Sequence, residues 1–213
     1  MLYFLHIPKT GGTSIRRALL DSTSVFILPL TANTHSFSGK LKQLGGQKVV
    51  AGHFYYGIHE YIDRPFEYAT VLRHPVAHAI SSFKFTKLSV SRRQPHVGSP
   101  FIDNGIMEYV KNAWIAQNLF TRQLCGKGVM YSGKIDKWHF EQALCNLRSI
   151  KYVGVTEELD KFWDKLKADY GFTASLGHSR KGLIGGDLRP EMVDCILEHN
   201  QWDLKLYEAA RNL

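Results

Sequence analysis

The first twenty residues constrain the fold most, because they join an apolar strand pattern to a glycine-containing turn and an amphipathic helix pattern. The strand pattern is the apolar run Leu2–Leu5, which is typical of a buried strand. Residues 6–14, His-Ile-Pro-Lys-Thr-Gly-Gly-Thr-Ser, follow it, and Ile15, Ala18 and Leu19 then mark one face of a helix. Such a turn directs unpaired N–H groups and the positive end of the helix dipole at its centre. The segment therefore predicts an anion-binding loop in an α/β fold.

The side chains of this turn suit an anion as well as its backbone does. Lys9 adds a full positive charge, while Gly11 and Gly12 allow a ligand to approach the backbone closely. Thr13 and Ser14 add hydroxyl donors. The candidate anion ligands are Lys9, Thr10, Gly11, Gly12, Thr13 and Ser14. An ordinary strand–turn–helix unit with a surface lysine is the structural alternative.

The turn does not match the Walker A pattern of loops that bind nucleoside triphosphates. That pattern places the lysine after the last glycine and before a serine or threonine, whereas Lys9 precedes both glycines. The later Gly39-Lys40 and Gly126-Lys127 pairs lack the following serine or threonine. The sequence therefore indicates a phosphate-like anion other than the magnesium complex of a nucleoside triphosphate.

Three further blocks of sequence carry a family resemblance together with this turn. Residues 68–72 are strand-like, Arg73 ends that run, and Ser81 follows about two helical turns later. Residues 118–126 and 152–157 form the other two blocks. Residues 8–14 resemble the 5′-phosphosulfate loop of sulfotransferases that use 3′-phosphoadenosine 5′-phosphosulfate (PAPS), and the preceding His-Ile makes the segment most similar to the carbohydrate 2-O-sulfotransferase branch and its bacterial relatives.

The resemblance implies the transfer of a sulfuryl group from PAPS to an acceptor hydroxyl, with PAP, the desulfonated nucleotide, as the product. It implies that Lys9 and the loop bind the 5′ end, and that Arg73 and Ser81 bind the 3′-phosphate. Arg180 and Lys181, followed by glycine, resemble a nucleotide-contacting segment of cytosolic sulfotransferases. A solvated charged loop is an equally good explanation of these two residues. The implied acceptor is a carbohydrate or a small hydroxyl compound, and an anionic acceptor is left open.

His53 is the candidate general base. It follows the apolar run 49–52, and a histidine at a strand end can accept a hydroxyl proton near neutral pH. The Gly52-His53 step also resembles the one that carries the catalytic histidine in the 2-O-sulfotransferase branch. A histidine that only packs or caps is the alternative reading, and His59 is the second candidate. Lys9 is the other candidate catalytic residue, because it can stabilise charge on the departing phosphate. No metal-ligand spacing is apparent, so no metal is expected.

The net charge of +8 permits two interpretations. One is a surface that binds a polyanion, and the other is charge that serves an anionic cofactor with the remainder scattered. No run of lysines and arginines exceeds two residues, which favours the cofactor interpretation. Two other function classes remain as alternatives: a P-loop-like nucleotide-dependent kinase, and a non-catalytic nucleic-acid-binding protein.

The order of apolar segments predicts a three-layer α/β sandwich around a mainly parallel sheet. The resemblance implies that this sandwich has the P-loop nucleotide-kinase-like fold of the sulfotransferases. The predicted strands are residues 2–7, 25–28, 48–52, 69–73 and 151–155. At 213 residues, a single domain spanning 1–213 is expected. The pattern also predicts one helix from Ile106 to Gln117, an N-cap at Thr156, and a final helix that starts at Pro190 and bends near Asn200.

The remaining features concern location and loops. No apolar stretch is long enough to span a membrane and no cleavage signal is apparent, so we expect a cytoplasmic protein. The cysteines Cys125, Cys145 and Cys195 are expected to be reduced and half-buried. Residues 89–104 predict a long loop, either an acceptor-binding lid or an ordinary surface loop. The oligomeric state is not predicted.

Overall fold

The computed structural model describes residues 1–28, 44–94, 98–177 and 188–213. Five strands form one parallel sheet in the order β2-β3-β1-β4-β5. The strands are β1 (Leu2–Leu5), β2 (Val25–Leu28), β3 (Val49–Gly52), β4 (Glu67–Leu72) and β5 (Tyr152–Val155). The sequence therefore predicted all five strands, with errors of one or two residues at their ends.

Eight α-helices connect and cover the strands in the described part of the chain. They are α1 (Gly12–Ser22), α2 (Pro75–Ser91), α3 (Gly105–Asn112), α4 (Leu119–Leu124), α5 (Lys137–Ser149), α6 (Leu159–Tyr170), α7 (Pro190–His199) and α8 (Gln201–Ala210). Short 3-10 turns lie at Ile58–Tyr61, Ser99–Phe101, Trp114–Ala116 and Thr156–Glu158.

The core lies in two layers, one on each face of the sheet, because successive side chains of a strand point to opposite faces. Leu2 and Phe4 of β1 face α1 and α6, where Ile15 and Trp163 are buried against them. Tyr3 of β1 faces the opposite layer, which is built from α2–α5, α7 and α8. The predicted three-layer α/β sandwich with a parallel sheet is confirmed.

The strand register brings the ends of four strands to one edge. Leu5 of β1 pairs with Gly52 of β3 on one side and with Thr70 of β4 on the other. The Thr70 hydroxyl donates to Leu5 O at 2.9 Å, which fixes the exit of β1. Loops at the carboxyl ends of parallel strands converge at such an edge. The segments that follow β1, β3, β4 and β5 are therefore neighbours.

Two helix predictions are wrong. The helix expected through Gln117 ends at Asn112, and Ala113 is extended with ψ 101°. The Gln117 side chain then donates to the carbonyls of Val110 and Lys111, which satisfies two groups at the end of α3. Thr156 does not cap α6 but opens a 3-10 turn, and α6 begins at Leu159.

Two other helix predictions hold. Pro190 begins α7, and the break at Asn200 separates α7 from α8. The long loop expected from residue 89 is shorter than predicted, because α2 continues to Ser91. All three cysteines are free, but Cys145 is exposed, while Cys125 and Cys195 are buried. No helix in the described part of the chain is long and apolar enough to cross a membrane.

Candidate active site

The loop between β1 and α1 adopts an unusual backbone shape. Lys9 has φ 68° and Gly11 has φ 88°, both in the left-handed region, which only glycine adopts at little cost. Gly12 meets a different restriction, since a Cβ on it would lie 2.0 Å from Cδ2 of His6. The loop therefore folds tightly over the His6 ring, and position 12 requires glycine.

The N-terminus of α1 is open. Gly11 occupies the N-cap position and supplies no side-chain acceptor, and the first turn contains no acidic residue. Thr13 and Ser14 are the second and third residues of α1, and Thr13 is exposed while Ser14 is half-buried. Free N–H groups and the positive end of the helix dipole together favour an anion here.

Thr10 differs from the other predicted loop ligands. Its side chain is only 1% exposed, and its hydroxyl donates to Ile7 O at 2.9 Å. The hydroxyl thus closes the loop internally and is not directed at a ligand. Only the backbone N–H of Thr10 is left for an anion.

Arg73 and Lys9 are brought together although 64 residues separate them. Nη1 of Arg73 donates to Lys9 O at 3.1 Å. The Lys9 ammonium lies 4.3 Å from the centre of the Phe85 ring, on the exposed side of α2. Burial lowers the pKa of Lys9, and the Arg73 guanidinium lowers it further. The site therefore concentrates positive charge that a bound anion would neutralise.

His53 contacts the same loop through His6. Its Nδ1 lies 2.6 Å from His6 O, and the two rings are 4.3 Å apart between centroids. Because a carbonyl oxygen only accepts, Nδ1 carries the proton and Nε2 of the neutral ring keeps its lone pair. Burial lowers the pKa of His53, the bond to His6 O raises it, and the charge of Arg16 lowers it again. The net direction is downward, so the ring is neutral at neutral pH.

Two other predicted residues, His59 after β3 and Ser81 on α2, are not joined to this cluster by a hydrogen bond or ring contact in the described part of the chain. Nδ1 of His59 is 3.0 Å from the Tyr68 hydroxyl, and the His59 ring stacks on Phe66 at 4.0 Å between centroids. Ser81 is half-buried on α2, and within the described ranges no hydrogen bond joins it to the loop. Its neighbour Ser82 is buried and hydrogen-bonded to the Tyr109 hydroxyl at 2.8 Å.

Three residues that the sequence analysis did not assign to the site also contact it. His78, on α2, has Nε2 3.0 Å from Pro8 O, and the Thr156 hydroxyl donates to Thr10 O at 2.9 Å. The third is His6, whose pKa is lowered to about 3 by burial, by His53 and by nearby cations. Only His6 carries a local signal, because it directly precedes the loop.

Two predicted nucleotide contacts, Arg180 and Lys181, lie outside the described residues. Among the residues that are described, no group of three or more histidines, cysteines and acidic residues could hold a metal ion.

Comparison with known proteins identifies the fold. A structure of the mouse sulfotransferase SULT7A1 complexed with PAP matches with a TM-score of 0.52 and 12% sequence identity, over 98% of this chain and 88% of that one. A sulfotransferase from Alicyclobacillus acidocaldarius gives the same TM-score and identity, over 98% and 94% of the two chains. No protein-family model and no curated protein sequence matches the chain. The five-stranded parallel sheet and its covering helices therefore have the fold of these sulfotransferases.

Proposed function

We propose that the chain is a PAPS-dependent O-sulfotransferase that binds its donor at the loop between β1 and α1. The observation that carries this proposal is the 3.1 Å hydrogen bond from Arg73 to Lys9 O. It joins the two motifs that the family resemblance assigns to opposite ends of one nucleotide. Such an arrangement suits a ligand with two separate anionic groups, as PAPS has.

The residues of the loop fit a phosphosulfate. The open N-terminus of α1 offers N–H groups, Lys9 offers a cation, and Gly12 lets the loop pack closely against the His6 ring. PAPS, when bound, supplies the activated sulfuryl group. Lys9 and the loop N–H groups then stabilise the negative charge that grows on the departing phosphate oxygen. Arg73 and Ser81 are proposed to hold the 3′-phosphate, with Arg180 and Lys181 as further candidates.

His53 is proposed as the general base. Its Nε2 accepts the acceptor's hydroxyl proton while the acceptor oxygen forms a bond to sulfur and the bond from sulfur to the bridging oxygen breaks. The hydrogen bond to His6 O leaves Nε2 as the basic atom, and the lowered pKa keeps it unprotonated. His59 is less suited to this role, because it is engaged with Tyr68 and Phe66.

The acceptor is proposed to be a carbohydrate hydroxyl, as in the 2-O-sulfotransferase branch, and the positive charge of the site is compatible with an anionic sugar. We also propose a single domain and a cytoplasmic location. The single five-stranded sheet supports the first, and the three free cysteines support a reducing compartment.

A thermal-shift panel separates the three function classes. The proposal expects a clear rise in melting temperature with PAP, and little effect of ADP, ATP with magnesium, or a duplex oligonucleotide. A shift with ATP and none with PAP would instead support the kinase. Stabilisation by the duplex alone, with steep salt dependence, would support the nucleic-acid-binding protein. Incubation with sulfur-labelled PAPS and a panel of sugars then tests transfer and identifies the acceptor class.

His53→Ala and His59→Ala form a matched pair for the base. His53→Ala should reduce the transfer rate about 10²–10⁴-fold and leave the PAP dissociation constant within about twofold. His59→Ala should retain nearly full activity. Equal activity of the wild type and His53→Ala would remove His53 from the mechanism.

A further inference from the structure

Three successive carbonyl groups of the loop accept hydrogen bonds from side chains outside it. Nε2 of His78 donates to Pro8 O at 3.0 Å, Nη1 of Arg73 to Lys9 O at 3.1 Å, and the Thr156 hydroxyl to Thr10 O at 2.9 Å. The three donors come from α2, from the end of β4 and from the end of β5. Each donor therefore ties the loop to a different part of the scaffold.

The direction of these carbonyls matters for an anion. A carbonyl oxygen carries partial negative charge, so one that turned inward would repel a phosphate or sulfate. Each of the three oxygens is instead directed at a donor in the scaffold. The N–H group of each following residue belongs to the same peptide unit as the carbonyl and points in the opposite direction, because the peptide unit is planar and trans. Holding the carbonyls outward thus leaves N–H groups for the ligand.

The loop needs such support because its backbone is strained. Lys9 adopts φ 68°, and a left-handed conformation costs a non-glycine residue about 1–2 kcal/mol. The Arg73 and Thr156 bonds hold the carbonyls of Lys9 and of the next residue, Thr10. Surrounding contacts of this kind are what maintain a strained backbone at a functional site.

The two uncharged donors are themselves fixed. His78 is 2% exposed, and burial lowers its pKa to about 4, so the ring is neutral and Nε2 carries a proton for Pro8 O. Leu72 O, of the last residue of β4, is a second acceptor 3.1 Å from the Thr156 hydroxyl, so the single hydroxyl proton is shared between Leu72 O and Thr10 O. The hydroxyl therefore connects the loop to the strand whose end leads into Arg73.

We propose that His78 and Thr156 are positioning residues that preorganise the loop for the 5′ phosphosulfate group of the donor. The inference rests on the proposed function, since it takes PAPS as the donor. Arg73 completes the set and links the loop to the segment assigned to the 3′-phosphate. Because both residues bond to carbonyls of the loop itself, we expect their loss to weaken binding of the 5′ group more than binding of the 3′-phosphate.

Two nucleotides distinguish this role from a merely structural one. PAP carries both the 5′- and the 3′-phosphate, whereas adenosine 3′-phosphate lacks the 5′ group. Removing the Thr156 hydroxyl by Thr156→Val should weaken PAP binding about five- to tenfold, because one hydrogen bond in the loop is lost. The affinity for adenosine 3′-phosphate should stay within about twofold.

Conservative variants supply the rescue. Thr156→Ser keeps the hydroxyl and should bind PAP within about threefold of the wild type. In the same way His78→Gln keeps a donor near the position of Nε2, whereas His78→Leu removes it. Isothermal titration with both nucleotides compares each of the four variants with the wild type. Only variants whose circular dichroism matches that of the wild type are used. If the buried His78 variants fail to fold, the pair at the half-buried Thr156 still decides the question.

The outcomes separate the proposed function from the positioning role of His78 and Thr156. A wild-type protein that binds no PAP contradicts the proposed function. A wild type that binds PAP, with Thr156→Val binding it equally well, overturns the positioning role alone. Equal losses for PAP and adenosine 3′-phosphate, or equal losses for Thr156→Val and Thr156→Ser, would also overturn it.

Discussion

Helices α1 and α4 both follow a residue in the left-handed conformation, Gly11 with φ 88° and Asn118 with φ 47°, but their first N–H groups have different surroundings. At α1 no side chain caps the helix. At α4 the carboxylate of Asp203 accepts from the N–H groups of Phe120 and Thr121, each at 2.9 Å. The N-terminus of α4 is therefore closed by the protein itself.

The charges near the N-termini of α1 and α4 also differ. Asp203 is fully buried and brings its own negative charge to α4, where the Thr121 hydroxyl also donates to it at 2.8 Å. Around α1, the cations Lys9, Arg73 and Arg16 lie near the loop, and the negative charge of Glu157 acts on Arg73. A closed helix end secures the fold, and an open one surrounded by cations is available to an anionic ligand. Most backbone N–H and C=O groups of a folded protein have hydrogen-bond partners. A helix N-terminus without a cap, at the edge of the sheet where the strands end, therefore indicates a ligand site.

The largest effect on stability is expected from removing the side chain that caps α4. Asp203→Ala leaves the N–H groups of Phe120 and Thr121 buried without an acceptor, and should lower the free energy of unfolding by about 3 kcal/mol. Urea unfolding monitored by circular dichroism measures this loss. The PAP dissociation constant at a temperature where the variant is folded should be unchanged. A large loss of PAP affinity without a loss of stability would mean that α4 belongs to the ligand site.

A slightly smaller effect is expected from distorting the open end. Gly12→Ala places a methyl group where the His6 ring now lies, and overpacking of this kind costs about 2 kcal/mol. Because the loop can relieve the clash by moving, we expect PAP binding to weaken about 30-fold. Gly46→Ala is the control, since a Cβ at position 46 meets nothing within 4 Å. Titration of both variants with PAP measures the difference, and equal affinities would show that the loop geometry is not needed.

The open end could be predicted from the sequence, whereas the closed end could not. Strand β1, the loop and α1 are contiguous, and their pattern is local, so Lys9, Gly11 and Gly12 could be assigned from residues 2–20 alone. The cap of α4 comes from Asp203, 83 residues beyond Phe120. No local pattern connects such distant positions.

Thr156 shows that contacts between distant residues within the site could not be predicted from a local pattern either. A threonine directly before a helical pattern is typical of a helix N-cap, and the sequence predicted one there. Its hydroxyl instead donates to Thr10 O, 146 residues away, because the parallel sheet brings the end of β5 to the same edge as the end of β1. The topology decides which acceptor the hydroxyl finds. The sequence supplied the strands and the candidate ligands, and the contacts among the loops required the fold.

A third test converts the open end into a partly closed one. Thr13→Glu places a carboxylate in the first turn of α1, where it should stabilise the helix by about 0.3–1 kcal/mol. The same charge repels a bound phosphate, so PAP binding should weaken about tenfold. Leu20→Glu, on an exposed position in the last turns of α1, is the control and should leave PAP binding unchanged. The opposite signs of the stability and affinity changes identify the helix terminus as the ligand site, and a gain in both would contradict it.

The least direct test of the comparison is a difference in pH dependence between the two regions. His78, beside the loop, has its pKa lowered by burial to about 4, whereas burial raises the pKa of Asp203 to about 6. Between pH 4 and 6 the unfolded chain binds more protons than the native state at His78 and fewer at Asp203. Stability contributed by the neutral histidine is therefore lost as pH falls below about 6.5, and stability contributed by the protonated carboxyl is lost as pH rises towards 6.

The two contributions can be separated by removing each group in turn. His78→Gln should make the fall in stability from pH 6 to pH 4 shallower by about 1 kcal/mol per pH unit, because one proton is no longer taken up on unfolding. Asp203→Asn should make the same fall steeper by a similar amount, because its opposing contribution is removed. Urea unfolding of the wild type and of the two variants at pH 4.5, 5.5 and 6.5 gives the slope of the unfolding free energy against pH for each protein. If both variants changed the slope in the same direction, the two regions would not differ in the protonation state of their buried groups, and the contrast between the open and the closed helix end would rest on geometry alone.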